Sequence, residues 1–193
     1  MFHTEESDGF CSSAAARTIR KIEEDTWQLC PDALIVRTNA FGWSPNAADP
    51  GWIESTLEAL QQGGAGPYDF LRHATPILAT DLAAILVQAW FAELKGEYHI
   101  AGAERINPER FVERLADEFD LPAPSSPSFD SLGELPSGFG RGESSLHTGK
   151  IRRALDIAMP TIAEGLQKLH EQQHNGSRDR LSAPAVAVHE KVA

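Results

Sequence analysis

The chain has 193 residues and a formal charge of −11, from 28 acidic against 17 basic side chains, with 41% apolar residues. That length fits one domain with a core, with or without a tail. The acidic balance excludes a broad footprint for nucleic acid or for anionic lipid, while a local Arg or a helix amino terminus can still hold a small phosphate. Cys11 and Cys30 are too few for a disulfide framework. On one continuous helix they would sit about 28 Å apart, beyond bridging distance. Free thiols in a reducing cytoplasm are therefore expected. No apolar run reaches membrane-spanning length, and Glu5, Glu6 and Asp8 spoil a signal-peptide pattern.

Ser12 or Ser13 can cap a helix running to about Leu29, with Ile19, Ile22 and Leu29 on an inward stripe. Pro31 and Asp32 stop it. Leu34, Ile35 and Val36 form a short apolar run suited to a strand buried on both faces. Asp49 and Pro50 open a second helix, as cap and first helical residue, with Ile53, Leu57 and Leu60 inside. Gly63, Gly64 and Gly66 close it, and Tyr68 to Leu71 reads as an edge strand. Thr80 caps a long helix carrying Leu82, Ile85, Leu86, Ala89 and Trp90 on one side, closed by Lys95 and Gly96.

Tyr98, His99 and Ile100 form another strand, and Asn107 with Pro108 opens a helix with Phe111, Val112, Leu115 and Phe119 inward. Residues 122–145, rich in Pro, Ser and Gly, read as a long loop. Helices near 148–156 and 160–172 follow, and the chain from Asn175 reads as a disordered tail, which divides it into residues 1–174 and 175–193. Strands alternating with helices imply an α/β fold with a parallel sheet. Two central strands are too few to complete such a sheet, so it reads as one edge of a larger one.

Four segments in order carry a resemblance. They are Arg37-Thr38-Asn39-Ala40-Phe41-Gly42, then Pro76 with Asp81-Leu82-Ala83, then Gly96-Glu97-Tyr98-His99-Ile100-Ala101-Gly102, then Arg141 with Leu146 and Lys150. Together, over about residues 12–170, they resemble the carboxyl half of an extended short-chain dehydrogenase, the dTDP-4-dehydrorhamnose reductase family. The resemblance implies a partial Rossmann-type fold whose amino-terminal dinucleotide-binding half is missing, and NADPH-dependent reduction of a keto-deoxysugar nucleotide in the complete protein. A truncated gene product and an independent domain both fit that reading.

The family's helix carries Tyr-x-x-x-Lys, with the Tyr as proton donor and the Lys lowering its pKa and holding the ribose. Counting back from Arg37 puts Ala15 and Ile19 at those positions, while Glu23 matches a family Glu. No Gly-x-Gly-x-x-Gly follows an early strand. Gly63-Gly64-Ala65-Gly66 and Gly138-Phe139-Gly140-Arg141-Gly142 both read as turns. The expectation is a chain that binds no NADP or NAD and transfers no hydride alone.

Substrate contact is expected beyond the carboxyl ends of the strands. The candidates are Asn39, Phe41, Gly42, Trp43, Trp52, Arg72, His73 and Arg141. Trp43 or Trp52 would stack on a base or sugar, unless both are core aromatics. Arg141 would pair with phosphate, unless it is an exposed loop residue. Arg37, after a buried strand, is expected to pair with an internal acid. The implied partners are a nucleotide-sugar, and a second copy or another chain covering apolar faces, with no nucleic acid and no membrane. A second reading is a non-catalytic binding or regulatory subunit of the same fold. A third is a zinc hydrolase through His170-Glu171-Gln172-Gln173-His174, which spells H-E-x-x-H; its place at a helix end running into Asn175 and Gly176 favours a solvated terminus instead.

Overall fold

Ser13 accepts a hydrogen bond from the Ala16 N–H (3.1 Å) and starts the first helix, α1 (Ala14–Leu29). In this computed structural model the described residues are 2–7, 13–46, 48–64, 72–124 and 142–182. The element order continues β1 (Leu34–Arg37), β2 (Ala40–Phe41), α2 (Trp52–Gln61), β3 (Ile77–Leu78), α3 (Ala79–Phe91) and β4 (Gly96–His99). Then come α4 (Pro108–Glu118), α5 (Gly149–Leu155), α6 (Ile162–His174) and α7 (Ser177–Ser182). Among the described residues no helix is long and apolar enough to cross a membrane.

Among the described residues both strand ladders are parallel, as expected from the alternation of strands and helices. β1 pairs with β4 in the register Val36↔Tyr98 and Arg37↔His99, and β2 pairs with β3 in a second two-stranded sheet. The Ile77 N–H donates to the Asn39 carbonyl (3.0 Å), tying the second ladder to the end of β1. One core lies between α2, α4 and α6 around Phe41, Ile53, Phe111 and Leu166. The other lies between α3 and the β1–β4 sheet, where Leu34 and Val36 meet Ile85, Ala89 and Tyr98.

Several local expectations are corrected. The Ile19, Ile22 and Leu29 stripe does not face inward: these side chains are 58%, 58% and 88% exposed. The helix leans on the body with the half-buried Ala16, Glu23, Thr26 and Trp27 instead. β1 is half-buried along its length rather than covered on both faces. Asp49 does not cap α2, because Gly51 holds that position while the Asp49 carbonyl accepts from Ser44 Oγ (2.8 Å). Thr80 lies inside α3 and accepts from Gln172 (2.9 Å). That helix stops at Phe91, four residues before Lys95, where Glu93 turns left-handed (φ 51°). Trp90, expected on its inner side, is 79% exposed.

The helix opened by Asn107 forms as expected, with Asn107 Oδ1 accepting from the Arg110 N–H (2.9 Å) and Phe111, Val112 and Leu115 buried. Phe119 sits just past its end against the first core. Thr161 and Glu164 form a reciprocal capping box at the start of α6. The tail expected from Asn175 is helical over Ser177–Ser182, with Arg178 lying 4.4 Å over the Trp43 ring. Residues 142–145, expected at the end of a long loop, are held by the bridge His73↔Glu143 and followed by the bridge His3↔Leu146. The edge strand Tyr68 to Leu71 and residues 125–141 of the expected loop lie outside the described residues.

Candidate functional site at the carboxyl ends of the strands

β1 and β4 end side by side at Arg37 and His99, where ligands of parallel α/β sheets gather. The Arg37 guanidinium is held by two acids. Its Nε and Nη2 donate to the two carboxylate oxygens of Glu23 on α1 (2.9 and 2.7 Å), and Nη1 meets Glu97 Oε1 at 2.6 Å. The Glu23 hydrogen bond raises the Arg37 pKa, with burial opposing it and Glu97 adding to it. Burial pushes the Glu97 carboxyl up, and the Arg37 charge holds it back. This meets the expectation of an internal acid partner and leaves the guanidinium committed, so it is no free phosphate ligand.

His99 is 1% exposed. Its Nδ1 donates to the His3 carbonyl (3.1 Å), which leaves Nε2 as the bare nitrogen, 3.6 Å from Glu97 Oε1 and too far for a hydrogen bond. Burial lowers the His99 pKa, so the ring stays neutral. Glu97 and His99 also direct main-chain groups to the outer edge of β4. There Lys150 donates to the Glu97 carbonyl (2.6 Å) and the His99 N–H donates to the Glu5 carboxylate (3.0 Å). The Lys150 ammonium lies 4.3 Å over the Tyr98 ring. Among the described residues side chains cap this edge, and no strand pairs there. The alternation Glu97, Tyr98, His99 is the sequence signal for that polar face; Glu5 gives none.

A second junction lies at the Pro76 turn. Asn39 Oδ1 accepts from both the N–H and the hydroxyl of Thr75 (3.3 and 3.0 Å), and Thr75 Oγ1 accepts from the Leu146 N–H (3.1 Å). The His73 N–H donates to the Gly142 carbonyl (3.1 Å), and the His73 carbonyl accepts from the N–H and hydroxyl of Ser144 (2.8 and 2.9 Å). Arg72 and His73 are half-buried here. Arg105 donates to Glu143 through Nε and Nη2 (3.0 and 2.6 Å). Burial pushes the Glu143 carboxyl up, but hydrogen bonds from Arg105 and Ser145 outweigh it and hold it at about 2. Arg141 lies outside the described residues; its neighbour Gly142 is the residue tied to His73.

Phe41 and Trp43 are buried in the first core, and Trp52 packs half-buried against it. Phe41 is 3% exposed and meets Phe111 edge-on (centroids 5.2 Å), and Trp52 packs on the same ring at 5.3 Å. Trp43, 8% exposed, donates from Nε1 to the Leu169 carbonyl (3.2 Å). Gly42 passes close over α3, where an added Cβ would stand 3.2 Å from that of Ala79. The structure therefore joins Arg72, His73 and Asn39 at one turn and places Phe41 and Trp43 in the wall behind.

Ala15 and Ile19 are both exposed on α1. At the end of α6, the His170 and His174 rings lie 4.9 Å apart. His170 stacks on Phe119 (4.5 Å) and turns Nδ1 toward Glu118 Oε1 (3.6 Å). Among the described residues no group of three or more His, Cys, Asp or Glu side chains comes together to hold a metal, so the H-E-x-x-H pair lacks a third protein ligand there.

No protein-family model matches the chain, and no curated protein matches it. Solved structures do. The dTDP-4-dehydrorhamnose reductase of Bacillus anthracis, in complex with NADP, superposes with a TM-score of 0.73 at 14% identity, over 89% of this chain and 59% of that one. The dTDP-4-dehydrorhamnose reductase of Clostridium acetobutylicum gives 0.73 at 17% identity, over 90% and 60%. A UDP-N-acetylglucosamine 4-epimerase of Bacillus cereus gives 0.63 at 12%, over 89% and 58%. The chain thus spans less than two thirds of the length of each. At these identities the likeness is one of fold, and it is the mixed α/β fold of dTDP-4-dehydrorhamnose reductases and related short-chain dehydrogenase proteins.

Proposed function

We propose that the chain is the nucleotide-sugar-binding portion of a dTDP-4-dehydrorhamnose reductase-like, NAD(P)-dependent oxidoreductase, and that it does not transfer hydride alone. The observation that carries this reading is the superposition of about nine tenths of the chain on reductases of that name. The parallel ladders and the Asn39–Thr75 junction meet beyond the strand ends, where a sugar nucleotide would lie. Arg72, His73, the edge of Trp52 and Arg141 are the residues to meet it, with Arg141 taking the phosphates; Asn39, Phe41, Gly42 and Trp43 shape the floor.

The residues present do not fit the coenzyme. Where the resemblance puts a proton-donating Tyr and a ribose-holding Lys, Ala15 and Ile19 offer only methyl and alkyl surface. A non-catalytic binding or regulatory subunit of the same fold is the second reading, favoured by that exposed apolar face.

The test is calorimetric titration of the whole chain with dTDP and a dTDP-sugar, beside an NADPH-oxidation assay with a keto-sugar nucleotide. The expected result is binding without turnover, weakened about tenfold by Arg141→Ala, the loss of one charge-assisted phosphate contact. Turnover at an enzyme-like rate, or no binding of either ligand, overturns the proposal.

A further inference from the structure

Residues 142–147 run as the middle ply of a three-ply strip. Their main-chain groups alternate between its two edges, as those of an extended segment do. The even residues face the Pro76 turn. The Gly142 carbonyl accepts from the His73 N–H (3.1 Å), the Ser144 N–H donates to the His73 carbonyl (2.8 Å), and the Leu146 N–H donates to Thr75 Oγ1 (3.1 Å). The odd residues face residues 2–7. The Ser145 carbonyl accepts from the His3 N–H (2.8 Å), the His147 N–H donates to the His3 carbonyl (2.7 Å), and the Glu143 carbonyl accepts from His3 Nε2 (3.0 Å). Both bridges, His73↔Glu143 and His3↔Leu146, are parallel. The ply that borders Thr75 and Asn39 is therefore held from behind by His3.

His3 is in turn seated on the sheet by His99. That ring is 1% exposed, and its Nδ1 donates to the His3 carbonyl (3.1 Å), the same oxygen that takes the His147 N–H. The His99 main-chain N–H donates to the Glu5 carboxylate (3.0 Å). Both donors of His99, ring and main chain, thus go to residues 3–5. Residues 2–7 add no side chain to the apolar cores, and Phe2 is 44% exposed, so polar contacts are what seat them.

We propose that His99 is a positioning residue for the ligand mouth: its ring seats residues 2–7, these hold the 142–147 ply, and the ply sets the His73, Thr75 and Asn39 turn. The proposal rests on the reading of that turn as a sugar-nucleotide site for its ligand, while the link between the three segments stands on the bonds themselves. Segments that bury little apolar surface open at lower free energy than the whole fold. Residues 2–7 and the ply therefore open as one unit, apart from the helices. The coupling is reciprocal: a ligand that needs the ply in place tightens the seat of residues 2–7, and loosening that seat weakens the ligand.

The experiment is amide exchange of the whole chain followed by mass spectrometry, beside calorimetric titration with dTDP. His99→Leu keeps the bulk and removes the ring donor; His99→Asn returns an N–H close to the place of Nδ1. Without ligand, His99→Leu should speed exchange of the His3, Ser144, Leu146 and His147 amides about fivefold, the loss of one buried hydrogen bond, with the amides of α4 unchanged. His99→Asn should restore most of the protection. Glu5→Ala, at a half-buried side chain outside the cores, should speed the same amides and keeps the test open should His99→Leu not fold. In the parent dTDP should slow these amides, and His99→Leu should bind it about fivefold more weakly, with His99→Asn close to the parent. Equal acceleration in α4 and the ply, a His3 amide that speeds up without those of Ser144 and Leu146, or dTDP affinity indifferent to His99→Leu would each overturn the proposal. A parent that binds no dTDP refutes the sugar-nucleotide reading instead, and the exchange rates still decide whether His99 holds the ply.

Discussion

Gly102 closes the Gly96 to Gly102 segment, and the structure gives its lack of a side chain a price. A Cβ built there falls onto the main-chain carbonyl oxygen of Pro76, closer than real Cβ atoms approach any atom, with the Pro76 carbonyl carbon at 3.1 Å and the Pro160 oxygen at 3.5 Å. Every one of these neighbours is backbone, so no rotamer change relieves the contact. The same strand end is pinned on both sides: the Gly102 N–H donates to Thr75 (3.0 Å) and the Ala103 N–H to Pro160 (2.9 Å). Gly102→Ala must push three chain segments apart or break those bonds. Overpacking of this kind costs ~1–3 kcal/mol, and contact with backbone alone puts Gly102→Ala at the upper end, about 3 kcal/mol. For a chain of this length that lowers the melting temperature by roughly 6–12 °C. Gly165→Ala is the comparison, since its Cβ would meet only the ring edge of Phe41 at 3.1 Å and Leu78 Cβ at 3.7 Å. Thermal and urea melts followed by circular dichroism decide it. A Gly102→Ala chain melting within ~2 °C of the parent would show that the Pro76 and Pro160 turns yield freely, and the packing argument would fail.

Arg37→Met should destabilise the chain by ~2 kcal/mol at neutral pH in urea melts. It strands Glu23 and Glu97 together, and the usual cost of breaking a buried pair is reduced because Arg37 is 37% exposed. Burial already raises the Glu97 pKa, so its carboxylate opposes folding above that pKa, and the variant should regain stability as pH falls through it. Glu143 works in the opposite sense: its carboxyl is held at about 2 against an ordinary 4.5. Its contribution is full above 4.5 and drains as pH falls toward 2. Glu143→Gln should flatten that acid limb in pH-dependent melts, and an unchanged limb would refute the assignment. Thr161→Ala removes the capping box of α6 and should cost about 1 kcal/mol in the same melts, partly reproduced by Glu164→Ala.

Elements whose signal is local were legible in the sequence. Ser13 and Asn107 each cap a helix through a side-chain oxygen three residues from its target, and both appear where the residues say. The Leu34 run and the Gly96 to His99 run pair in parallel because both are short, apolar on one face and separated by helices. Arg37 was legible as an internally paired residue for the same reason: a cation directly after a half-buried strand must find an acid. What the sequence hid depends on distant contact. β2 and β3 are two residues each, and their pairing is fastened by distant contacts such as that of Thr75 with Asn39. Trp43 and Trp52 read either as stacking platforms or as core aromatics, and it is contacts with the distant Phe111 and Phe119 that bury Trp43 and leave Trp52 half-buried. Glu5 reaches the edge of β4 from 94 residues away.

The outward stripe of α1 shows a different limit. Periodicity states that Ile19, Ile22 and Leu29 share a face; it carries no information about which molecule covers that face. The half-buried Glu23 and Trp27 prove that the helix has a seat on this chain, so the stripe is not the mark of a misplaced helix. It is apolar surface that the described residues leave uncovered. Ile19, and Ala15 one turn before it, stand where the resemblance would put a Lys and a Tyr, groups that must meet water or a polar coenzyme. An alkyl surface at those positions is poor at holding a ribose and good at packing against another helix. On the proposed reading these two positions lack the chemistry and offer a packing surface, so hydride transfer and association should be measured on the same sample. Ala15→Tyr with Ile19→Lys should weaken association, since the long polar side chains would lie in the packing seam. It should restore no NADPH oxidation, because those two side chains alone do not build a site for the coenzyme. Association that persists undiminished in that double variant, or hydride transfer that appears with it, would break the link drawn between the two.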